Sequence, residues 1–254
     1  MGGAIWYLKQ CELFERLSET EAGQLNRRAL ARTFKRGTVI YSPTQPGESV
    51  MVLASGRVKI KDITLGGRET IMAFIEEGEV FGELALLDGD TRQEYAETVD
   101  ACQVLVIPRE DILALMGTRP DIALSVTKLI GLRRRRIETR LRNLLFLPSR
   151  DRMLHILLEL AETHGDRTGN RVEIRVPLSH QDIASLIGVT RETVTLTLGQ
   201  MQSEGLVEVS RRRIVIRDLA RLRAEAGGAP VPDARAPAPP GPPAPDSAAR
   251  PAVV

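Results

Sequence analysis

Residues 178–201, LSHQDIASLIGVTRETVTLTLGQM, confine their part of the chain to one arrangement: small, turn-forming and apolar residues fall where two short crossed helices need them. Ser179 is placed to cap the first helix, with Asp182 three residues on as its capping-box partner. Ala184 lets the helices cross closely, Gly188 supplies the turn, and Ile183, Ile187, Val189 and Val194 form the apolar seam. Thr190 caps the second helix. On a 3.6-residue period Arg191, Glu192, Thr195 and Leu196 share a face opposite Val194 and Leu198. That face predicts a recognition helix for the DNA major groove, with Arg191 forking onto guanine and Glu192 accepting from a cytosine amine. Ser179, Gln181 and Thr190 are expected to complete this side of the contact set. Immediately downstream, GLVEVSRRRIVIRD reads as two short β-branched strands around a basic turn at residues 210–213. Such a turn predicts a wing whose Arg211, Arg212 and Arg213 lie against phosphates.

Global composition permits this reading without selecting it. At 254 residues and 43% hydrophobic the chain can bury a core or two, and a formal charge of +2 is too mild to mark a nucleic-acid binder, so the argument rests on local arginine clusters. Cys11 and Cys102 lie far apart with no CxxC, which supports neither a zinc site nor a disulfide framework and fits a reducing cytoplasm. The N-terminal MGGAIWYLKQ lacks a signal-peptide apolar core and no run is long enough to span a bilayer, so a soluble, cytoplasmic protein with no membrane partner is expected.

Four zones differ in texture. Residues 1–117 carry short β-branched runs (TVIY, SVMVLA, RVKIKDI, ETIMAFI, QVLVI) punctuated by Gly and Pro, the pattern of an all-β roll, preceded by a helical CELFERLSETEAGQLNRRAL with Ser18 and Glu21 as a capping box. Residues 118–147 read as one long helix. Its stripe of Ile122, Val126, Leu129, Ile130, Ile137, Leu141 and Leu144 is narrow enough for a dimer seam. Residues 133–136 are four arginines on what reads as a solvated face, yet either Arg133 or Arg136 falls near the seam and needs a carboxylate or ligand partner. Residues 148–223 hold the helix-turn-helix and wing, and residues 224–254, rich in Pro and Ala, are expected to be a disordered tail.

A Gly-punctuated β-roll, a long helix and a winged helix-turn-helix, in that order, resemble the cyclic-AMP receptor protein / FNR family of bacterial transcription regulators. GEVFGELALLDGD at residues 78–90 and TRETV at residues 190–194 carry the resemblance most specifically. It implies an α+β fold with a cyclic-nucleotide-binding-like roll and a homodimer on palindromic double-stranded DNA. It also implies contact with RNA polymerase, commonly as an activator, and an effector site in the roll. In nucleotide-binding relatives a Gly-Glu pair and an Arg followed by Ser or Thr hold the ribose and the cyclic phosphate. Gly82, Glu83 and Arg92 match, Gln93 replaces the hydroxyl residue, and the long-helix pair expected near the base corresponds to Ile137 and Glu138. Glu94 and Glu97 add carboxylates that would oppose an anion. The cyclic-nucleotide motif is thus degraded, and the effector stays open between a nucleotide and another small molecule. Glu83 and Arg92 read equally as an internal ion pair holding the roll closed. An iron–sulfur cluster is disfavoured by two distant cysteines, and a haem by histidines confined to the DNA-binding part (His155, His164, His180). Cys102, on an apolar strand, reads as core.

No metal site or catalytic constellation is expected: the roll lacks the histidines of a cupin, and neither a P-loop nor a nucleophile elbow is present. The competing reading is a ligand-sensing roll whose C-terminal domain makes protein contacts. Arg191 at the helix start and the basic wing favour DNA.

Overall fold

A computed structural model of the chain describes residues 8, 11, 13–87 and 91–227. Helix α1 (Glu19–Arg28) starts where its capping box places it: Ser18 Oγ accepts from the Glu21 amide at 3.3 Å and the Glu21 carboxylate accepts from the Ser18 amide at 2.8 Å. The helix expected from Cys11 is therefore shorter, with turns at residues 13–16. Eight strands follow: β1 (Leu30–Phe34), β2 (Val39–Tyr41), β3 (Ser49–Ser55), β4 (Val58–Ile63), β5 (Glu69–Ile75), β6 (Val80–Phe81), β7 (Tyr95–Thr98) and β8 (Cys102–Pro108). They form two antiparallel four-stranded sheets, β1-β8-β3-β6 and β2-β7-β4-β5. Strand β3 is buried on both faces, and its period-two alternation sends Met51 and Leu53 into the roll interior and Val50 and Val52 toward the helices.

Helix α2 (Arg109–Thr118), absent from the sequence reading, and helix α3 (Pro120–Phe146) close that outer cluster with Ile112, Ile122 and Val126. This corrects the expected seam. Ile122 and Val126 are each 2% exposed within one chain, whereas Ile137, Leu141 and Leu144 remain 46, 55 and 45% exposed. One 3.6-period stripe serves two neighbours, the chain's own roll in its first half and an open face in its second.

The C-terminal domain comprises α4 (Ser149–His164), the hairpin β9 (Gly165–Thr168) and β10 (Arg171–Ile174), α5 (His180–Ile187), α6 (Arg191–Ser203), β11 (Val207–Ser210), β12 (Arg213–Ile216) and α7 (Leu219–Glu225). The wing strands join the β9–β10 hairpin in one sheet, β11-β12-β10-β9. Buried Leu219 and Leu222 carry α7, capped by Asp218, to Glu225, two residues into the segment expected to be tail. Residues 228–254 lie outside the described residues, as do Asp88, Gly89 and Asp90 of the roll motif.

This domain rests on the roll. Ile71 and Phe74 of β5 join its buried cluster, and the Phe74 ring meets His164 edge-on at 6.2 Å. Glu76 lies 3.1 Å from His164 Nδ1 and 3.0 Å from an Arg175 nitrogen. Burial raises the Glu76 carboxyl, but its contact with His164 and the charges of Arg175 and Arg57 prevail and hold it below the ordinary glutamate value. A depressed folded-state value means that the joint gains stability above the ordinary glutamate range and loses it as pH falls. Glu76→Gln should therefore weaken the joint at neutral pH by roughly 1 to 3 kcal/mol and remove its acid sensitivity. Limited proteolysis near residue 148 against pH measures both; a variant cleaved like the wild type throughout would contradict this role.

Candidate nucleic-acid interface and effector pocket

The helix-turn-helix is built by local hydrogen bonds. Ser179 Oγ accepts from the Asp182 amide at 3.1 Å while Asp182 accepts from the Ser179 amide at 2.8 Å, which fixes the start of α5. Gly188 ends it at φ 67°, its N–H bonded to Ala184 O. The left-handed φ favours glycine, and a Cβ there would stand 2.5 Å from the terminal methyl Cδ1 of Leu144 on α3, so the turn abuts the long helix and a larger residue would require that side chain to move. Arg152 of α4 braces the same end by donating to Ile187 O at 2.8 Å. Thr190 accepts from the Thr193 amide and starts α6.

Ala184, Ile183, Ile187 and Val194 are buried, while Arg191, Glu192, Thr195 and Leu196 are exposed on one face of α6, Leu196 at 69%. The Glu192 carboxyl is held below its usual range by its own amide at the helix start and by the Thr190 hydroxyl, so it presents an acceptor at neutral pH. Thr195 bonds His180 Nδ1 at 2.8 Å, a neighbour that sequence spacing did not identify. Gln181 is exposed beside them.

A cleft of about 570 Å³ separates α5 from the wing and is bordered by Ser179, His180, Gln181, Arg191, Arg211 and Arg212. Ser210 and Arg213 pair across the wing, leaving Arg211 and Arg212 as its tip. Arg212 adopts φ 58°, a left-handed conformation costing a non-glycine residue roughly 1 to 2 kcal/mol. Arg213 turns back instead: its Nε and one terminal nitrogen each donate to Glu173 of β10 at 2.5 Å. The three wing arginines are thus unequal, two at the tip and one bracing the sheet.

The roll presents a second polar site. Gly82, at φ 69°, leaves room for the Arg92 guanidinium, which donates to Gly82 O at 2.8 Å and Ser49 O at 2.5 Å and lies 4.4 Å over the Tyr41 ring. Glu83 does not pair with Arg92. Its carboxylate receives Arg133 of α3 at 2.5 Å, and Arg133 also donates to Val80 O at 2.5 Å. Of the two arginines expected near the apolar stripe, Arg133 is the one with the carboxylate partner, and that partner belongs to its own roll. Strand alternation separates the two extra carboxylates, contrary to the expectation that both face the phosphate position. Glu94 points inward and accepts from the Tyr41 hydroxyl at 3.0 Å, with burial pushing its carboxyl up, whereas Glu97 points outward to Lys59 and Lys61. Gln93 is exposed. Ile137 and Glu138 stand on the open face of α3, where Glu138 pairs with Arg134.

A winged helix-turn-helix joined through a long helix to a ligand-binding type of roll defines a sensor-linked DNA-binding regulator. Family models match both parts: a Crp-like helix-turn-helix domain over residues 151–225 and a cyclic nucleotide-binding domain over residues 31–119. The chain is 31% identical over 221 residues to the cyclic AMP receptor protein of Thermus thermophilus, covering 87% of this chain and 99% of that one. It is 32% identical over 195 residues to the nitrogen fixation regulation protein FixK of Azorhizobium caulinodans, covering 75 and 76%. Among solved structures, FixK2 from Bradyrhizobium japonicum superposes with a TM-score of 0.69 at 25% identity, covering 77% of this chain and 96% of that one. The chain belongs to the cyclic-AMP receptor protein / FNR family of DNA-binding transcription regulators.

Because Arg212 combines strain with charge, Arg212→Gly should leave thermal stability unchanged or slightly raised while lowering DNA affinity for all sequences alike. Its salt dependence should flatten by roughly one unit of slope. An unchanged slope in salt titrations would remove Arg212 from the phosphate contacts.

Proposed function

We propose that the chain acts as a homodimer on a two-fold symmetric operator, activates transcription through contact with RNA polymerase, and binds DNA without a cyclic nucleotide. The observation that carries the DNA half is the exposed face of Arg191, Glu192, Thr195 and Leu196 beside a cleft rimmed by Arg211 and Arg212. Two such faces related by a two-fold axis read half-sites about one helical turn, roughly 10 base pairs, apart. Arg191 and Glu192 keep the base-reading pair of the family, while Leu196 stands where a further arginine is common. An exposed leucine packs on a thymine methyl and makes no guanine contact, so the operator should relax toward A·T at that base. Selection from random DNA tests this, and undiminished guanine preference at that position would exclude the role given to Leu196.

Dimerisation is supported by the open half of α3. Leaving Ile137, Leu141 and Leu144 in water is unfavourable, and a second copy of the helix is the partner that matches their spacing. Leu141→Glu should yield monomers in sedimentation and weaken operator binding; an intact dimer would count against this seam.

Independence of a cyclic nucleotide is supported by the roll interior. Arg92 already donates to two carbonyls and stacks on Tyr41, Glu83 is held by Arg133, and the Arg92 neighbour Gln93 offers no hydroxyl. A cyclic phosphate would have to displace these contacts and would lack one charge-assisted hydrogen bond, worth about 1.5 to 3 kcal/mol. That moves a micromolar ligand into the high micromolar range or beyond. The nucleotide-sensor reading retains Gly82, Glu83 and Arg92. Calorimetric titration of the apo-protein with cyclic AMP and cyclic GMP, with operator binding measured in parallel, decides between them. Low-micromolar binding that raises operator affinity and is lost in Arg92→Ala would restore the sensor reading.

A further inference from the structure

We infer that Arg134 and Glu138, repeated by the two-fold axis, form a four-residue ionic layer inside the α3 pair and set its register; this rests on the dimer reading above. On α3, residues Thr127, Ile130, Arg134, Ile137, Leu141 and Leu144 follow one another at alternating spacings of three and four, the rhythm of a two-helix seam. Four are apolar, one is a threonine, and one is a fully charged arginine. The neighbouring arginines on the inner side are already committed, Arg133 to Glu83 and Arg140 to Glu159. Arg134 faces outward with its side chain 78% exposed, its Nε 2.7 Å from the carboxylate of Glu138, itself 49% exposed.

A two-fold axis along this seam brings Arg134 opposite its own copy. Two arginines facing each other between apolar layers repel and lose water, so the arrangement needs carboxylates at the same level. Glu138, one turn further on, provides one from each helix. The layer then holds two positive and two negative charges and is self-complementary, as a two-fold interface requires. Its cost in stability is offset by specificity: a slip of one heptad sets Arg134 against Thr127 or Leu141 and strands both charges. Glu138 is thereby assigned to pairing.

The test uses the full chain. Arg134→Glu places four carboxylates in the layer and Glu138→Arg places four guanidinium groups. Each variant alone should dissociate at concentrations roughly a hundredfold or more above wild type in sedimentation equilibrium, while an equimolar mixture should form a heterodimer and recover operator binding. Thr127→Cys, which leaves both charges in place, should cross-link to its own copy on mild oxidation, and this cross-link should vanish in the Arg134→Glu background. If both charge variants dimerise as wild type does, the layer is wrong and the dimer stands. A monomeric wild type removes the dimer itself. Monomeric single variants that retain wild-type melting but fail to associate when mixed overturn the charge pairing, as does a Thr127→Cys dimer that never cross-links.

Discussion

Arg140 joins three parts of the chain at one guanidinium. From α3 it donates to Met72 O of the roll at 2.7 Å and to the Glu159 carboxylate of α4 at 3.0 and 2.5 Å. Two turns earlier, Arg133 ties α3 to the roll alone, through Glu83 and Val80 O. Such partly buried pairs add little net stability over an apolar pair of the same shape, but losing either partner strands a desolvated charge. Their value lies in direction: a guanidinium fork fixes the angle between helix and sheet, which apolar packing alone does not. The position of the DNA-reading face relative to the roll depends on these two forks and on the Glu76 contacts beside them.

The same helix divides its apolar residues between its own roll and an open face, and charge follows that division. Arginines on the inner side reach carboxylates of their own chain. Arg134, on the outer side, keeps company with a carboxylate one turn away, the pair that the proposed two-fold axis would double. A run of four arginines that reads as a solvated surface in the sequence thus includes one residue committed inward, to Glu83, and one paired on the exposed face, with Glu138.

Legibility tracked the range of the interactions. The helix-turn-helix was readable because the capping box at Ser179, the side-chain cap at Thr190 and the left-handed turn at Gly188 are decided by residues within four positions of one another. What escaped notice depends on distant partners. The β9–β10 hairpin is rich in charge and forms because β12 pairs with it, and α2 is fixed by packing Ile112 under the roll. His180 enters the interface only through Thr195, and Tyr41 and Ser49 reach Arg92 from strands far away in sequence. Glu97 was misplaced for a simpler reason: a carboxylate three residues beyond a strand's inward-facing neighbour changes face, and counting along the sequence without the pleat hides that change.

The roll and the wing apply one physical rule to opposite ends. At the wing tip two arginines stand exposed, one of them in a left-handed conformation that a glycine would relieve. In the roll, the Arg92 guanidinium spends its donors on Gly82 and Ser49 carbonyls and its face on Tyr41, and the nearby Glu94 is pushed by burial toward its neutral, uncharged form. An anion arriving at the wing displaces water and counterions; one arriving at Arg92 must displace protein hydrogen bonds that no solvent replaces inside the sheet. On the proposed function, the difference in what must be given up, more than any difference in charge, separates the wing tip as an anion site from Arg92 as a structural part of the roll.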